Sequence, residues 1–116
     1  SGGIIDLWGD GLQTRSFLFI DDCIDATKKL TRSNWEGPVN IGSEEMISIN
    51  DLAFLIASIA EKKIEINNIP GPVGVRGRNS DNNLIKKKLS WTPKFNLKLG
   101  LEKTYPWILS QVHSNE

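Results

Sequence analysis

Gly9-Asp10-Gly11 separates two short apolar runs near the start of this chain. Residues 4–8 (Ile-Ile-Asp-Leu-Trp) and 16–20 (Ser-Phe-Leu-Phe-Ile) are short and rich in strand-forming residues. Asp-Gly between two such runs is a strong tight-turn signal. The spacing predicts a β-hairpin, with Gln13-Thr14-Arg15 at the start of its return strand. A lone hairpin is marginal in water, so later elements must cover it.

Those later elements can be read from punctuation and periodicity. Asp21 and Asp22 can cap a helix over about 22–32, with Cys23, Ile24, Thr27 and Leu30 on its apolar face. Val39-Asn40-Ile41 reads as a short strand closed by Gly42. Ser48-Ile49-Asn50-Asp51 resembles a capping box and opens a helix over about 49–61 that would bury Leu52, Leu55, Ile56 and Ile59. Residues 64–69 alternate apolar and polar and read as a strand. Strand, helix and strand in that order suggest a right-handed β-α-β crossover. Residues 70–79 hold three glycines, two prolines and two arginines and form the longest irregular stretch. Ser80 or Asp81 then caps a short helix to about Leu89, which Trp91-Thr92-Pro93 breaks. Asn96 caps a last helix with Leu101, Tyr105, Ile108, Leu109 and Val112 in one stripe, and Pro106 inside it is expected to kink it. The expected fold is a small mixed α/β domain with a β-hairpin, a β-α-β crossover and C-terminal helices. Ser1-Gly2-Gly3 reads as a cloning scar or clipped linker, leaving 4–116 as the domain.

Charge and length exclude several functions. Fourteen Lys plus Arg balance fourteen Asp plus Glu, so no nucleic-acid partner is expected. No apolar run approaches the ~18 residues of a membrane helix, and no secretory leader is visible. The single cysteine, Cys23, cannot form an internal disulfide, so a cytoplasmic placement is expected. A chain of 116 residues buries roughly two-thirds of its unfolded surface. That is short for holding both a dinucleotide and a sugar.

Few residues carry chemistry. Gly71, Gly74 and Gly77 have a phosphate-loop spacing, but the next helix starts too late for its N-terminus to face a phosphate. No metal site is expected from one Cys and one His. His113 reads as solvated, Cys23 as a small buried hydrophobe, and Lys86-Lys87-Lys88 as a solvated helix face. Three arginines, Arg15, Arg76 and Arg78, suit a phosphate because the guanidinium is planar and always charged. The glycines around Arg76 and Arg78 would let a ligand approach the backbone.

Trp8-Gly9-Asp10-Gly11-Leu12-Gln13-Thr14-Arg15-Ser16-Phe17 and Ile20-Asp21-Asp22 resemble the opening of the C-terminal part of extended short-chain dehydrogenases acting on nucleotide sugars. Val39-Asn40-Ile41-Gly42-Ser43, Arg78-Asn79-Ser80-Asp81 and Lys88-Leu89-Ser90-Trp91-Thr92-Pro93 continue the pattern in order. The stretches 38–46 and 69–82 are more particular. They resemble an epimerase branch of that NAD-dependent epimerase/dehydratase family.

The resemblance implies an isomerase that oxidises C4 of a hexose, epimerises C3 and C5, and reduces C4 again. It implies a nucleotide-sugar substrate, a GDP-hexose, and NAD in the complete enzyme. Only the substrate-binding half is matched. The dinucleotide-binding Rossmann half would be missing, so no NAD site and no catalytic residue are expected here. The family's Tyr-x-x-x-Lys pair is absent: Tyr105 is the sole tyrosine and residue 109 is Leu. Gln13, Thr14 and Arg15 match the family's Gln-Thr-Arg contact to the nucleotide sugar. Arg78, first residue of Arg-x-x-Asp, matches the arginine that reaches the diphosphate, Arg76 is a second candidate, and Asp81 caps the following helix. The family usually carries a bulky residue where Pro106 stands. Apolar surface left open by a missing half implies a homodimer. The alternatives are a nucleotide-sugar dehydratase or decarboxylase, and a stand-alone binding or interaction module.

Overall fold

The computed structural model describes residues 2–115. Its elements are β1 (Gly3–Trp8), β2 (Thr14–Ser16), α1 (Ile20–Arg32), β3 (Met46–Ser48), α2 (Ile49–Ile59), β4 (Ile64–Ile69), α3 (Asn83–Leu89) and α4 (Leu97–Ser114). The class is mixed α/β, with one parallel and one antiparallel pair among the described residues.

The hairpin does not form. β1 pairs in parallel with β4, from Gly3 opposite Ile64 to Trp8 opposite Ile69. β2 pairs antiparallel with β3, Arg15 opposite Ile47. Gly9–Asp10 is a turn as expected, and Gly9 and Gly11 sit at positive φ, 76° and 73°. Composition decides the partners. Thr14-Arg15-Ser16 is polar and cannot extend an apolar face, whereas Ile64 and Ile66 can. Gly3, set aside with the leading residues, is the first residue of β1.

The predicted return strand at 16–20 is displaced for a similar reason. Leu18 packs on the core cluster and Phe19 against Phe95, ring centroids 4.9 Å apart, so this run serves tertiary packing. Val39 and Ile41 likewise pack on the core without joining a strand. The expected crossover therefore fails: the strand before α2 is Met46–Ser48, and it lies in a different sheet from β4.

α1 is rotated from its expected face. Asp22, not Cys23, faces inward: its carboxylate is 1% exposed and accepts from Lys94 N–H at 3.0 Å and Phe95 N–H at 2.9 Å. Neither Asp21 nor Asp22 caps the helix; Phe19 occupies that position. Asp22, Ala26 and Leu30 repeat at helical spacing, so Cys23 is half-buried and Ile24 exposed. α2 starts as expected, Ser48 Oγ accepting from Asp51 N–H at 3.1 Å. Its apolar residues Leu52, Leu55, Ile56 and Ile59 are only half-buried. α3 is capped at Asn82, and Asp81 just ahead accepts from Asn83 N–H at 3.0 Å. α4 is capped by Asn96 and runs unbroken through Pro106.

The closed core is Ala26, Ile85, Leu89 and Trp91. The rest is open. The radius of gyration is 16.8 Å, against about 13 Å for a compact chain of this length. The accessible surface is 8077 Å², against about 6,300 Å² for a compact monomer of this mass.

Candidate anion-binding cleft

The turn after β1 and the irregular segment after β4 lie side by side, because their parent strands are neighbours. Gly9 N–H donates to Ile69 O at 2.8 Å, and Asn68 Nδ2 donates to Gly9 O at 2.9 Å. Further along, Thr14 N–H donates to Arg76 O at 2.9 Å and Arg78 N–H to Thr14 O at 3.3 Å. Thr14 and Gly77 thus form a parallel bridge. The glycines of 70–78 serve this contact. A Cβ on Gly71 would lie 2.4 Å from the Trp8 ring. The open backbone therefore meets Trp8 and Thr14, where the sequence suggested a ligand. No helix follows until Asn83, so the residues present do not fit a dinucleotide phosphate cradle.

The three arginines separate into distinct roles. Arg76 places both guanidinium nitrogens 2.9 Å from the two Asp10 oxygens, a bidentate pair on the surface. Those bonds, together with Leu12 N–H donating to Oδ1 at 2.9 Å, hold the Asp10 carboxyl below the usual carboxylate range. The same partner pushes the Arg76 guanidinium up. Arg15 is half-buried, donating to Thr14 O at 2.7 Å and Val73 O at 3.0 Å. Arg78 is exposed, and among the described residues its guanidinium has no hydrogen-bond partner.

Arg15 and Arg78 line one cleft of about 370 Å³ with Asn40, Gly42, Ser43 and Ser80. No carboxylate lines it. Guanidinium, amide and hydroxyl groups around one space can receive an anion's oxygens. Arg15 also borders a second, apolar cleft of about 690 Å³ walled by β1, α2 and β4, with Tyr105 at its side. Gln13 lies there, 6% exposed, its Nε2 reaching Trp8 O at 3.4 Å and its Oε1 unpaired.

Thr14 is not brought to the cleft; its backbone carries the bridge instead. Asn40, Ser43 and Ser80 join the cleft although sequence reasoning gave Ser80 only a capping role and the other two no site role. Asp10 was read only as a turn residue. Its signal was available: an Asp in a turn accepts from the N–H two residues on, which fixes its second oxygen outward. Among the described residues no cluster of metal-ligating side chains occurs, and no helix is long and apolar enough to cross a membrane.

This architecture is similar to about a third of the chain of extended short-chain dehydrogenase epimerases. UDP-glucose 4-epimerase from Thermotoga maritima superposes with a TM-score of 0.87 at 28% identity, over 93% of this chain and 35% of that one. UDP-glucuronic acid 4-epimerase from Bacillus cereus, in complex with UDP-glucuronic acid and NAD, gives 0.82 at 30% identity, over 91% and 35%. Within that class, the homologues at 54–57% identity are GDP-mannose 3,5-epimerase. The Arabidopsis thaliana protein is 57% identical over 96% of this chain, and one from Oryza sativa subsp. indica 54%. The chain spans 29% of the length of these relatives. More distant relatives at 32–36% identity include a dTDP-4-dehydro-6-deoxy-D-allose reductase, a GDP-L-fucose synthase and a UDP-glucuronic acid decarboxylase. No family model matches the chain.

Proposed function

We propose that this chain holds the diphosphate of a nucleotide sugar, GDP-mannose in the first instance, for a GDP-mannose 3,5-epimerase. The observation that carries the reading is the carboxylate-free cleft shared by the unpaired Arg78 and the half-buried Arg15. A diphosphate there meets two positive charges, one held by backbone carbonyls and one unpaired, with amide and hydroxyl groups beside them. Arg78 is the direct contact and Arg15 the preset one, with Gln13 buried behind. In this reading the chain supplies binding. NAD, which the Bacillus cereus relative holds, and the proton-transfer groups come from a Rossmann half of the full-length protein. That half covers the apolar cleft beside β1 and α2, which accounts for the surplus surface. The chain by itself then turns over nothing, and its open apolar face drives it into a homodimer.

Titrating GDP-mannose into the full-length protein tests the reading. Arg78→Ala is expected to weaken binding by about 1.5–3 kcal/mol, the worth of a charge-assisted bond. Lys87→Ala, on the exposed face of α3, should change it by less than about 0.5 kcal/mol. Equal effects would remove Arg78 from the site. Equal binding of UDP-sugars would turn the reading toward the other nucleotide-sugar branches.

A further inference from the structure

We propose that Asp10 is a positioning residue for this cleft: paired with Arg76, it sets the register that brings Arg78 beside Arg15. The inference rests on the binding role just proposed for Arg78.

Asp10 stands on a fixed base. Its carbonyl accepts from Asn50 Nδ2 at 3.0 Å, and Asn50 N–H donates to Gly11 O at 3.0 Å. The turn is thereby anchored on the first turn of α2. Leu12 N–H orients the carboxylate from within the turn. Both oxygens then engage the two Arg76 nitrogens at 2.9 Å, a fork geometry that allows one orientation.

The first half of the segment is tied by Arg15, which donates to Val73 O at 3.0 Å, and by Gly71 against the Trp8 ring; around Arg76 the other ties are backbone only. Two backbone bonds flank Thr14, one of them at 3.3 Å. Gly77 allows the close approach to Thr14, where a Cβ would lie 2.9 Å from Oγ1. A slip of one residue would put Gly77 or Asn79 where Arg78 stands, and it would turn the side chains to the opposite face. Arg76 is the only side chain of residues 70–78 with an ion-pair partner among the described residues. The pair is exposed on both sides, so its contribution to stability is small. Its effect lies in where it puts the backbone two residues later. The pairing also occupies both arms of Arg76, which leaves Arg78 as the arginine free to meet an anion.

A charge swap in the full-length protein tests this. Asp10→Arg, Arg76→Asp and the double swap are titrated with GDP-mannose, and amide hydrogen exchange is followed at Thr14 and Arg78. Asp10→Asn keeps an acceptor for Leu12 N–H and serves if a reversal prevents folding. Each single change is expected to weaken binding by about tenfold and to speed exchange at the Arg78 amide. The double swap should restore both to within about twofold. Unchanged affinity in the single variants overturns the proposal. So does a double swap that restores exchange but binds as weakly as Arg76→Asp, because Arg76 then touches the ligand itself. If the unaltered protein does not bind GDP-mannose, the functional reading fails. The clamp then stands or falls on exchange alone, and exchange indifferent to all variants overturns it.

Discussion

The two sides of this molecule treat their tryptophans differently. On the α1–α3 side, Trp91 is 2% exposed among Ala26, Ile85 and Leu89, and its Nε1–H donates to Asp25 at 3.2 Å. On the β1–β4 side, Trp8 is 54% exposed and Trp107, on α4, 64%. The residue is the same in each place, so residue type does not explain the contrast. Topology does. α1, α3 and the 39–41 segment surround one space. The β1–β4 pair is parallel, and parallel sheets are normally covered on both faces. Here α2 covers the pair only partly, with Tyr105 of α4 at the side, and Ile4 and Trp8 stay more than half exposed. A side chain's pattern tells that it wants cover; the connectivity tells whether this chain provides it.

The largest expected effect tests the closed side. Trp91→Ala should cost about 3–5 kcal/mol, the range for emptying a packed aromatic site. Phe54→Ala, on the open face of α2, should cost less than about 1 kcal/mol. Urea midpoints of the two variants measure the difference. Similar losses would mean that the open side is covered in solution, as the proposed homodimer requires, and a mass measurement at the same concentration would show it.

Asp22→Ala comes next. It leaves the Lys94 and Phe95 N–H groups without their charged acceptor, and about 3 kcal/mol is expected. Asp22→Asn should lose less, since one oxygen still accepts. A loss below about 1 kcal/mol would show that water reaches this side and that the core is not closed.

Much of this was legible before the structure. β1, α2, β4 and α4 follow from apolar periodicity and from Ser48 and Asn96 at helix starts, signals that are local. The pairing of strands was not legible, because the Asp-Gly turn pointed to a local hairpin and only the assembled sheet brings Met46–Ser48 beside Thr14–Ser16. The rotation of α1 was hidden for the same reason: Asp22 faces inward for two amides more than seventy residues away in sequence. At the cleft, the arginines stood out by residue type. Their division of labour depended on Asp10, which looked like any turn aspartate.

Helix α2 packs on β3, β4 and α4, on the open side, and its cap gives a smaller test. Ser48→Ala removes the acceptor for Asp51 N–H and should cost about 1 kcal/mol. Because α2 walls the apolar cleft, amide exchange in its first turn should rise while the Trp91 fluorescence is unchanged. A change in both would mean that the two sides unfold as one unit.

The smallest effect separates two carboxylates by their donors, two amides on Asp22 and three N–H groups on Asp10. Asp22 takes backbone amides in the closed side; Asp10 takes a guanidinium in water. The folded-state pKa of Asp10 lies below its unfolded value, held there first by the Arg76 hydrogen bonds and then by Leu12 N–H. Its contribution is therefore present above the ordinary carboxylate range and is lost as pH falls through the lowered value. Arg76 stays charged throughout, since its pKa is raised. At this exposure the stability involved is slight, and salt should diminish it further. The measurable sign is local. On acidification below the ordinary carboxylate range, the Arg78 amide should begin to exchange faster before Trp91 fluorescence changes. In Asp10→Asn that early step should be absent, with fast exchange already at neutral pH. An early step that survives in Asp10→Asn would place the titrating group elsewhere and would detach the 70–78 segment from Asp10.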